Sequence, residues 1–310
     1  MLFAIADDIA TLPGTHAVIT LDGRVAPPPP RGSLEVVAVG GKDEARRSFR
    51  ELASACDGTL VIAPETAGTL AAVVRAVSGT GGRHFGPSAE AIERASDKLL
   101  LPGILEKAGV PSLSAEPWDP SRPTPLRPVV VKPRRGAGSE RVVLLDGSRG
   151  PPPASEGEGL IATPYVEGIA ASVLVIAGDG GAAHLRACAQ DLSTSGDFAY
   201  LGGSLPLAAS LEARAHRLAL AAVEAIPGLA GFAGVDLILD PGTDGAREPR
   251  DLVVEVNARL TTSYVGLRAH ARTNLAAVWL AAVLGKRLPA IVWRPGETRF
   301  LADGTVATAS

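Results

Sequence analysis

The chain has little of what several protein classes require. Its 310 residues hold two cysteines, Cys56 and Cys188, each in an apolar or small-residue context without a CxxC partner. That excludes a disulfide scaffold and reads as two reduced core thiols of a cytoplasmic protein. No apolar run reaches the length of a membrane span, and the opening MLFAIADDIA carries acid where a signal peptide carries base. A net charge of −3 leaves no basic surplus to neutralise a phosphate backbone, which argues against a general nucleic-acid binder. The five histidines, His16, His84, His184, His216 and His270, show no zinc spacing. No GK[ST] triplet and no GxSxG elbow occurs.

Aromatics are also scarce, at 4% of a chain that is 46% hydrophobic, so Ala, Val and Leu must fill most of the core. The length suits two or three packed subdomains. Residues 15–21 and 34–39 pattern as strands, 44–56 and 67–77 as helices, and 59–63 as a short buried strand. This alternation implies a small α/β domain over residues 1–85. Ser88 caps a helix that leads to Ser96-Asp97-Lys98, and Pro102 should kink or delay the next helix. Residues 86–125 are then a helical linker, ending in a Pro- and Ser-rich stretch.

From 126 to 172 the pattern is strand, glycine-rich loop and strand, a hairpin with VVVK before the loop and residues 147–159 as a surface loop. Residues 173–310 continue with strands, a strong helix at 211–226 and a closing helix at 274–284 capped by Thr273. Residues 295–310 read as a weakly ordered tail. The fold class is therefore mixed, α+β with an α/β leading domain.

The chemistry concentrates in two strands. In LVVEVN, Glu255 and Asn257 lie two residues apart and share a face; Arg259 continues the parity if the chain stays extended. In GVDLIL, Asp236 is one carboxylate in an oily strand, joined to LVVEVN by the polar turn 240–250. Such groups are costly in a sheet unless something binds there. They could be a polar sheet end, or they could converge on one or two Mg²⁺ ions with phosphate. Lys132 ends an apolar strand beside Gly136, Ala137, Gly138 and Ser139, whose amides can approach an anion, with Arg134 and Arg135 adding charge.

The order of these pieces resembles the ATP-grasp superfamily. The matching segments are Ser96-Asp97-Lys98, VVVKPRRGAGSERV, PYVEG at 164–168, GVDLIL and EVNAR. The resemblance implies two α+β subdomains gripping ATP behind a small leading α/β domain, and carboxylate–amine ligation through an acyl phosphate. By matched position, Lys98, Lys132, Gly136, Ala137, Gly138 and Ser139 would serve the ATP phosphates. Tyr165, Val166 and Glu167 would lie on the adenine hinge. Asp236, Glu255 and Asn257 would hold Mg²⁺, or Mn²⁺ in its place. Arg259, with Lys132, would be catalytic and stabilise the transferring phosphoryl group. One departure is that Ile169-Ala170-Ala171 follows the hinge glycine, where many members carry a ribose-binding glutamate.

A finer resemblance is to the tyramine–glutamate ligases of methanofuran and methylofuran biosynthesis. It rests on IAPET at 62–66, YLGGSLPL at 200–207 and NARLTTSYVGLR at 257–268. It implies a γ-glutamyl amide made from L-glutamate and tyramine, or tyrosine. Thr261, Thr262, Ser263 and Tyr264 would then line the acceptor or acyl-phosphate pocket, with Gln190, Gly202 and Gly203 facing it. The alternatives are a ligase for another amino acid and amine, or a nucleotide-binding regulator without turnover. Expected partners are small molecules, not nucleic acid or membrane; oligomeric state stays open, a homodimer included.

Overall fold

The fold is that of a computed structural model, which describes the chain except residues 28, 30, 122–125, 148–158, 243–249 and 309–310. Most of the surface loop expected at 147–159, and the middle of the turn expected at 240–250, lie outside the described residues.

The chain opens with helix α1 (Leu2–Ala10), strand β1 (Ala17–Asp22), strand β2 (Leu34–Val39) and helix α2 (Lys42–Ala55). The two strands pair in parallel, as the alternation of elements requires. The segment expected as a third strand, residues 59–63, makes only an isolated bridge from Thr59 to His84. Leu60 and Ile62 pack toward one core and Val61 toward another, so the segment threads between two apolar clusters instead of extending a sheet. Helices α3 (Thr69–Gly79), α4 (Ala89–Ser96) and α5 (Leu101–Lys107) follow. Ser88 caps α4 by accepting from the Ala91 amide at 3.1 Å. Pro102 falls in the first turn of α5, so it delays the helix without breaking it.

A four-stranded sheet comes next: β3 (Glu116–Pro117), β4 (Val129–Pro133), β5 (Val143–Leu145) and β6 (Leu160–Pro164), in the order β3-β6-β4-β5. The end of the expected linker thus contributes an edge strand. Strands β4 and β5 are the hairpin arms about the glycine-rich loop. The core of this sheet is Val131, Leu145 and Ala162, with Trp118 packed against them.

The remaining elements are β7 (Ile169–Gly178), β8 (Gly181–His184), β9 (Cys188–Leu192), β10 (Tyr200–Leu205), α6 (Ala209–Glu224), β11 (Gly231–Leu239), β12 (Leu252–Asn257), α7 (Ser263–His270), α8 (Leu275–Val283), β13 (Thr298–Leu301) and β14 (Val306–Thr308). Their sheet runs β12-β11-β7-β9-β10-β13-β14, with β8 on β7. Alternation in β7 and β11 sends Val173, Val175, Val235 and Leu237 into a core with α3, α4 and α6. Leu174, Ile176 and Phe232 point the other way, into a core with α1, α7 and α8.

Two expectations change in this half. Residues 298–308 form the β13–β14 hairpin instead of a loose tail, because Thr298 and Phe300 alternate inward against β10 and are 1% exposed. Residues 263–270 form helix α7 directly after β12. Gly266 lets that helix meet Phe300, since a Cβ there would lie 2.2 Å from the ring. Asn274, not Thr273, caps α8, accepting from the Ala276 amide at 2.9 Å.

The scarce aromatics gather at this junction: Phe232 packs edge-on to Tyr264 and is stacked on Trp279, each at 5.7 Å. Tyr264 is fully buried, and its hydroxyl donates to Asp8 at 2.6 Å, while Arg268 grips Asp8 at 2.6 and 2.9 Å and Asp7 at 3.1 Å. Tyr264 therefore ties α7 to α1. Tyr264→Phe should lower unfolding stability by about 1–2 kcal/mol in chemical denaturation, the cost of leaving a buried acceptor short of a donor. Nucleotide affinity, measured by calorimetry, should stay within twofold.

Candidate functional site

Between the four-stranded sheet and the large sheet lies a cavity of about 680 Å³. The floor comes from β11 and β12. These strands pair with Asp236 directly opposite Glu255 and Gly234 opposite Asn257. A bulge between Asp236 and Leu237 lets Val253 and Val256 both face the apolar core while Glu255 and Asn257 face the cavity. Bulges of this kind re-aim side chains beside sites.

Asp236 accepts from Asn257 Nδ2 at 2.8 Å and from Gln190 Nε2 at 2.9 Å. Burial, and then the charge of Glu255, push its carboxyl up to about 7 despite Asn257 and Arg259. Burial also acts on Glu255, but Lys98, Lys132 and Arg259 outweigh it and hold that carboxyl below its ordinary value. Burial and mutual repulsion thus raise one carboxyl of the pair, while the surrounding cations lower the other. Carboxylate and amide oxygens of this kind suit a hard divalent ion.

Two lysines face this floor. Lys98 Nζ lies 3.0 Å from Glu255 and donates to the Gly136 carbonyl at 2.8 Å. Burial opposes its charge, yet Glu255, with Glu65 and Asp236 behind it, keeps its pKa above the ordinary value. Lys132 is buried and makes no ion pair among the described residues; burial and Lys98 depress its pKa. An under-neutralised, buried ammonium beside a glycine-rich loop suits an anion such as phosphate.

The cavity brings together Lys98, Lys132, Gly136, Ala137, Gly138, Ser139, Tyr165, Val166, Gln190, Asp236, Glu255, Asn257, Arg259, Thr261, Thr262 and Ser263. Four expected residues lie elsewhere. Glu167 is exposed and outside the lining. Tyr264 points into the core, as described above. Gly202 and Gly203 pack the inside of β10: a Cβ would lie 2.1 Å from the Phe300 carbonyl oxygen at Gly202 and 2.4 Å from that of Ala189 at Gly203. They serve close strand packing, not a ligand. Arg134 and Arg135 also fall outside the cavity lining.

Those arginines meet a residue that sequence reasoning left without a role. Asp97 is fully buried, takes two bonds from Arg134 at 2.8 and 2.6 Å and one from Arg135 at 3.3 Å, and accepts from the Leu99 and Leu100 amides. It clamps the glycine-rich hairpin to the helix junction that carries Lys98. Two further participants were unforeseen. The turn between β9 and β10 brings Ser193, Thr194, Gly196 and Phe198 to the cavity, with Phe198 6.1 Å from Tyr165. Glu65, from the N-terminal region, approaches Arg259 at 3.8 Å. The signal for Asp97 was its place beside Lys98; for Glu65, a charged residue in an apolar segment just before a turn.

Residues 95–263 match the ATP-grasp domain family, and residues 15–92 match the pre-ATP-grasp domain family. The chain belongs to the ATP-grasp family. It is an enzyme of the carboxylate–amine ligase kind, and relatives bind ATP or ADP. It is similar to tyramine–L-glutamate ligase from Methanocaldococcus jannaschii, 26% identical over 77% of this chain and 68% of that relative. The fold is shared with solved structures. Biotin carboxylase from Campylobacter jejuni is 16% identical with a TM-score of 0.71, over 96% of this chain and 72% of that one. L-amino acid ligase from Bacillus licheniformis is 17% identical with a TM-score of 0.68, over 95% and 75%. No helix among the described residues is long and apolar enough to cross a membrane.

In this ATP-grasp chain the Asp97 clamp has a pH signature. Burial alone would raise its carboxyl, but Arg134 and the two amides overcome that and hold it below its ordinary value. A carboxyl depressed in the folded state contributes stability that is complete above its unfolded pKa, about 4, and is lost as pH falls through the folded value. Asp97→Asn should therefore lower Tm at neutral pH, by roughly 1–3 kcal/mol in stability. It should also flatten the fall in Tm below about pH 4. Thermal melts across pH read both; parallel curves for the two proteins would show that Asp97 is not depressed.

Proposed function

We propose that the chain is an ATP- and Mg²⁺-dependent ligase that joins L-glutamate to tyramine or tyrosine as a γ-glutamyl amide. The observation that carries this reading is the cross-strand pair Asp236–Glu255 set against Lys98, Lys132 and Arg259 in one cavity. The similarity to tyramine–L-glutamate ligase supports the choice of substrates.

In this reading Asp236, Glu255 and the Asn257 amide oxygen hold Mg²⁺. The ion would supply charge neutralisation for the phosphates. Lys132 and Lys98 draw the phosphates to the glycine-rich loop, and Tyr165, Val166 and Phe198 offer apolar surface for the adenine. Arg259 stabilises the charge on the phosphoryl group as it passes to a glutamate carboxylate oxygen and ADP departs. The amine nitrogen then attacks the acyl carbon, phosphate leaves, and the surplus proton passes to water. Thr261, Thr262 and Ser263 line the same cavity from the start of α7 and face the acceptor side. Phosphoryl transfer depends chiefly on such positioning and charge. The intact set of cations and carboxylates speaks against a regulator without turnover.

Coupled detection of ADP tests the reading. Release is expected only when L-glutamate, tyramine or tyrosine, and Mg²⁺ are all present; equal release with unrelated amino acids would remove the substrate assignment. Glu255→Gln should cut kcat by about 10²–10³-fold or more with a Tm near that of the unaltered chain. Unaltered turnover in that variant would remove the metal-site assignment.

A further inference from the structure

We propose that Glu65 is a positioning residue for the transfer centre, acting through Arg259; the inference rests on the ligase reading above. Glu65 lies outside the segment that matches the ATP-grasp domain family and belongs to the region matching the pre-ATP-grasp family. It stands at the head of a tight turn. Ala67 and Gly68 take left-handed φ values of 52° and 70°, and the Leu70 amide donates to the Pro64 carbonyl at 3.1 Å. A non-glycine residue at positive φ is uncommon and persists where the surroundings enforce it. The turn drives the Glu65 side chain into the protein, where it is 2% exposed.

There it meets the segment just beyond the metal strand. Its Oε1 accepts from the Ala258 amide at 3.0 Å and lies 3.8 Å from Arg259 Nε. That nitrogen is buried and has no hydrogen-bond partner among the described residues. The terminal nitrogens of Arg259 reach the Asn257 Oδ1 and the Leu260 carbonyl, each at 3.3 Å. Arg259 and Asn257 line the cavity, whereas Glu65 does not. Glu65 thus touches no substrate and supports the guanidinium from behind. An amide side chain would satisfy the Ala258 N–H equally well. Burial raises the pKa of this carboxyl, opposed by the charge of Arg259 first and of Lys98 second, so the 3.8 Å approach to Arg259 is the contact that favours its charged form most. A buried carboxylate is costly without such a partner.

The test compares the unaltered chain with Glu65→Gln, Arg259→Lys and the double variant, using whichever carboxylate–amine pair the unaltered chain turns over fastest. A wrong acceptor then affects only the substrate assignment. Glu65→Gln keeps an acceptor for Ala258 and should keep Tm and ADP affinity. Its kcat should fall about 10–100-fold, the scale of a misplaced catalytic group, with KM for ATP little changed. In the Arg259→Lys background the same change should cost less than about twofold, since residues acting as a unit are non-additive. Losses that multiply, or a kcat within twofold of the unaltered chain, would overturn the proposal. Should Glu65→Gln fail to fold, Glu65→Asp decides by the same readouts, because it withdraws the charge by one methylene. A measure independent of turnover is the Arg259 Nε–H resonance in ¹⁵N NMR, assigned by its loss in Arg259→Lys. It should shift and exchange faster with water in Glu65→Gln, and an unchanged signal overturns the proposal even if no substrate is turned over.

Discussion

Two carboxylates held face to face across neighbouring strands are the constraint around which this protein is arranged. Asp236 and Glu255 occupy directly opposed positions on β11 and β12, where like charges repel. Such a pair is tolerable only with cations aimed at it. They arrive from three directions: Lys98 from the helix junction, Lys132 from the four-stranded sheet and Arg259 from beyond β12. Each supplier must then be fixed in place. Asp97 does this for the Lys98 junction and the glycine-rich hairpin through Arg134. The need to neutralise one carboxylate pair thereby links separate parts of the chain.

The large sheet meets this demand by using one of its faces for two purposes. Along β7 and β11, Leu174, Ile176 and Phe232 bury themselves under α7 and α8. Farther along the same face, Ser172, Asp236 and Ile238 open onto the cavity. The opposite face is apolar throughout, packed with small residues such as Ala171, Ala215, Ala219 and Ala233. A core so poor in aromatics can bring helices close to the sheet, and close packing gives the site a rigid floor. The bulge between Asp236 and Leu237 reconciles the two uses within β12.

The strands, the glycine-rich hairpin, the main helix and most cavity residues were legible in the sequence because their patterns are local. Period-two alternation placed Glu255 with Asn257, and an oily strand interrupted by one acid placed Asp236. What escaped was set by contacts distant in sequence. Residues 59–63 look like a strand but are held between two cores, so no partner strand is available. Helix α7 at 263–270 escaped because helix formation there depends on burial against Phe300 and α1. The polar tyrosine in that phrase suggested a substrate contact. Its hydroxyl had a better use 256 residues away, on Asp8. Gly202 and Gly203 were expected to face the substrate pocket, although their need is to let Phe300 and Ala189 approach.

The segment that follows β12 shows how the N-terminal region supports the cavity without lining it. At its start, the Ala258 amide and Arg259 rest on Glu65. Toward its end, Tyr264 and Arg268 are gripped by Asp8, with Asp7 assisting. Thr261, Thr262 and Ser263 lie between these two anchors and face the cavity. Gly234 permits this approach, since a Cβ there would lie 2.4 Å from the Thr261 methyl. Thr261, Thr262 and Ser263 are therefore suspended between two fixed points, both provided by residues of the N-terminal region. Such an arrangement allows the three side chains to differ while the backbone carrying them stays in place. In the proposed reaction it would separate the choice of substrate from the geometry of phosphoryl transfer.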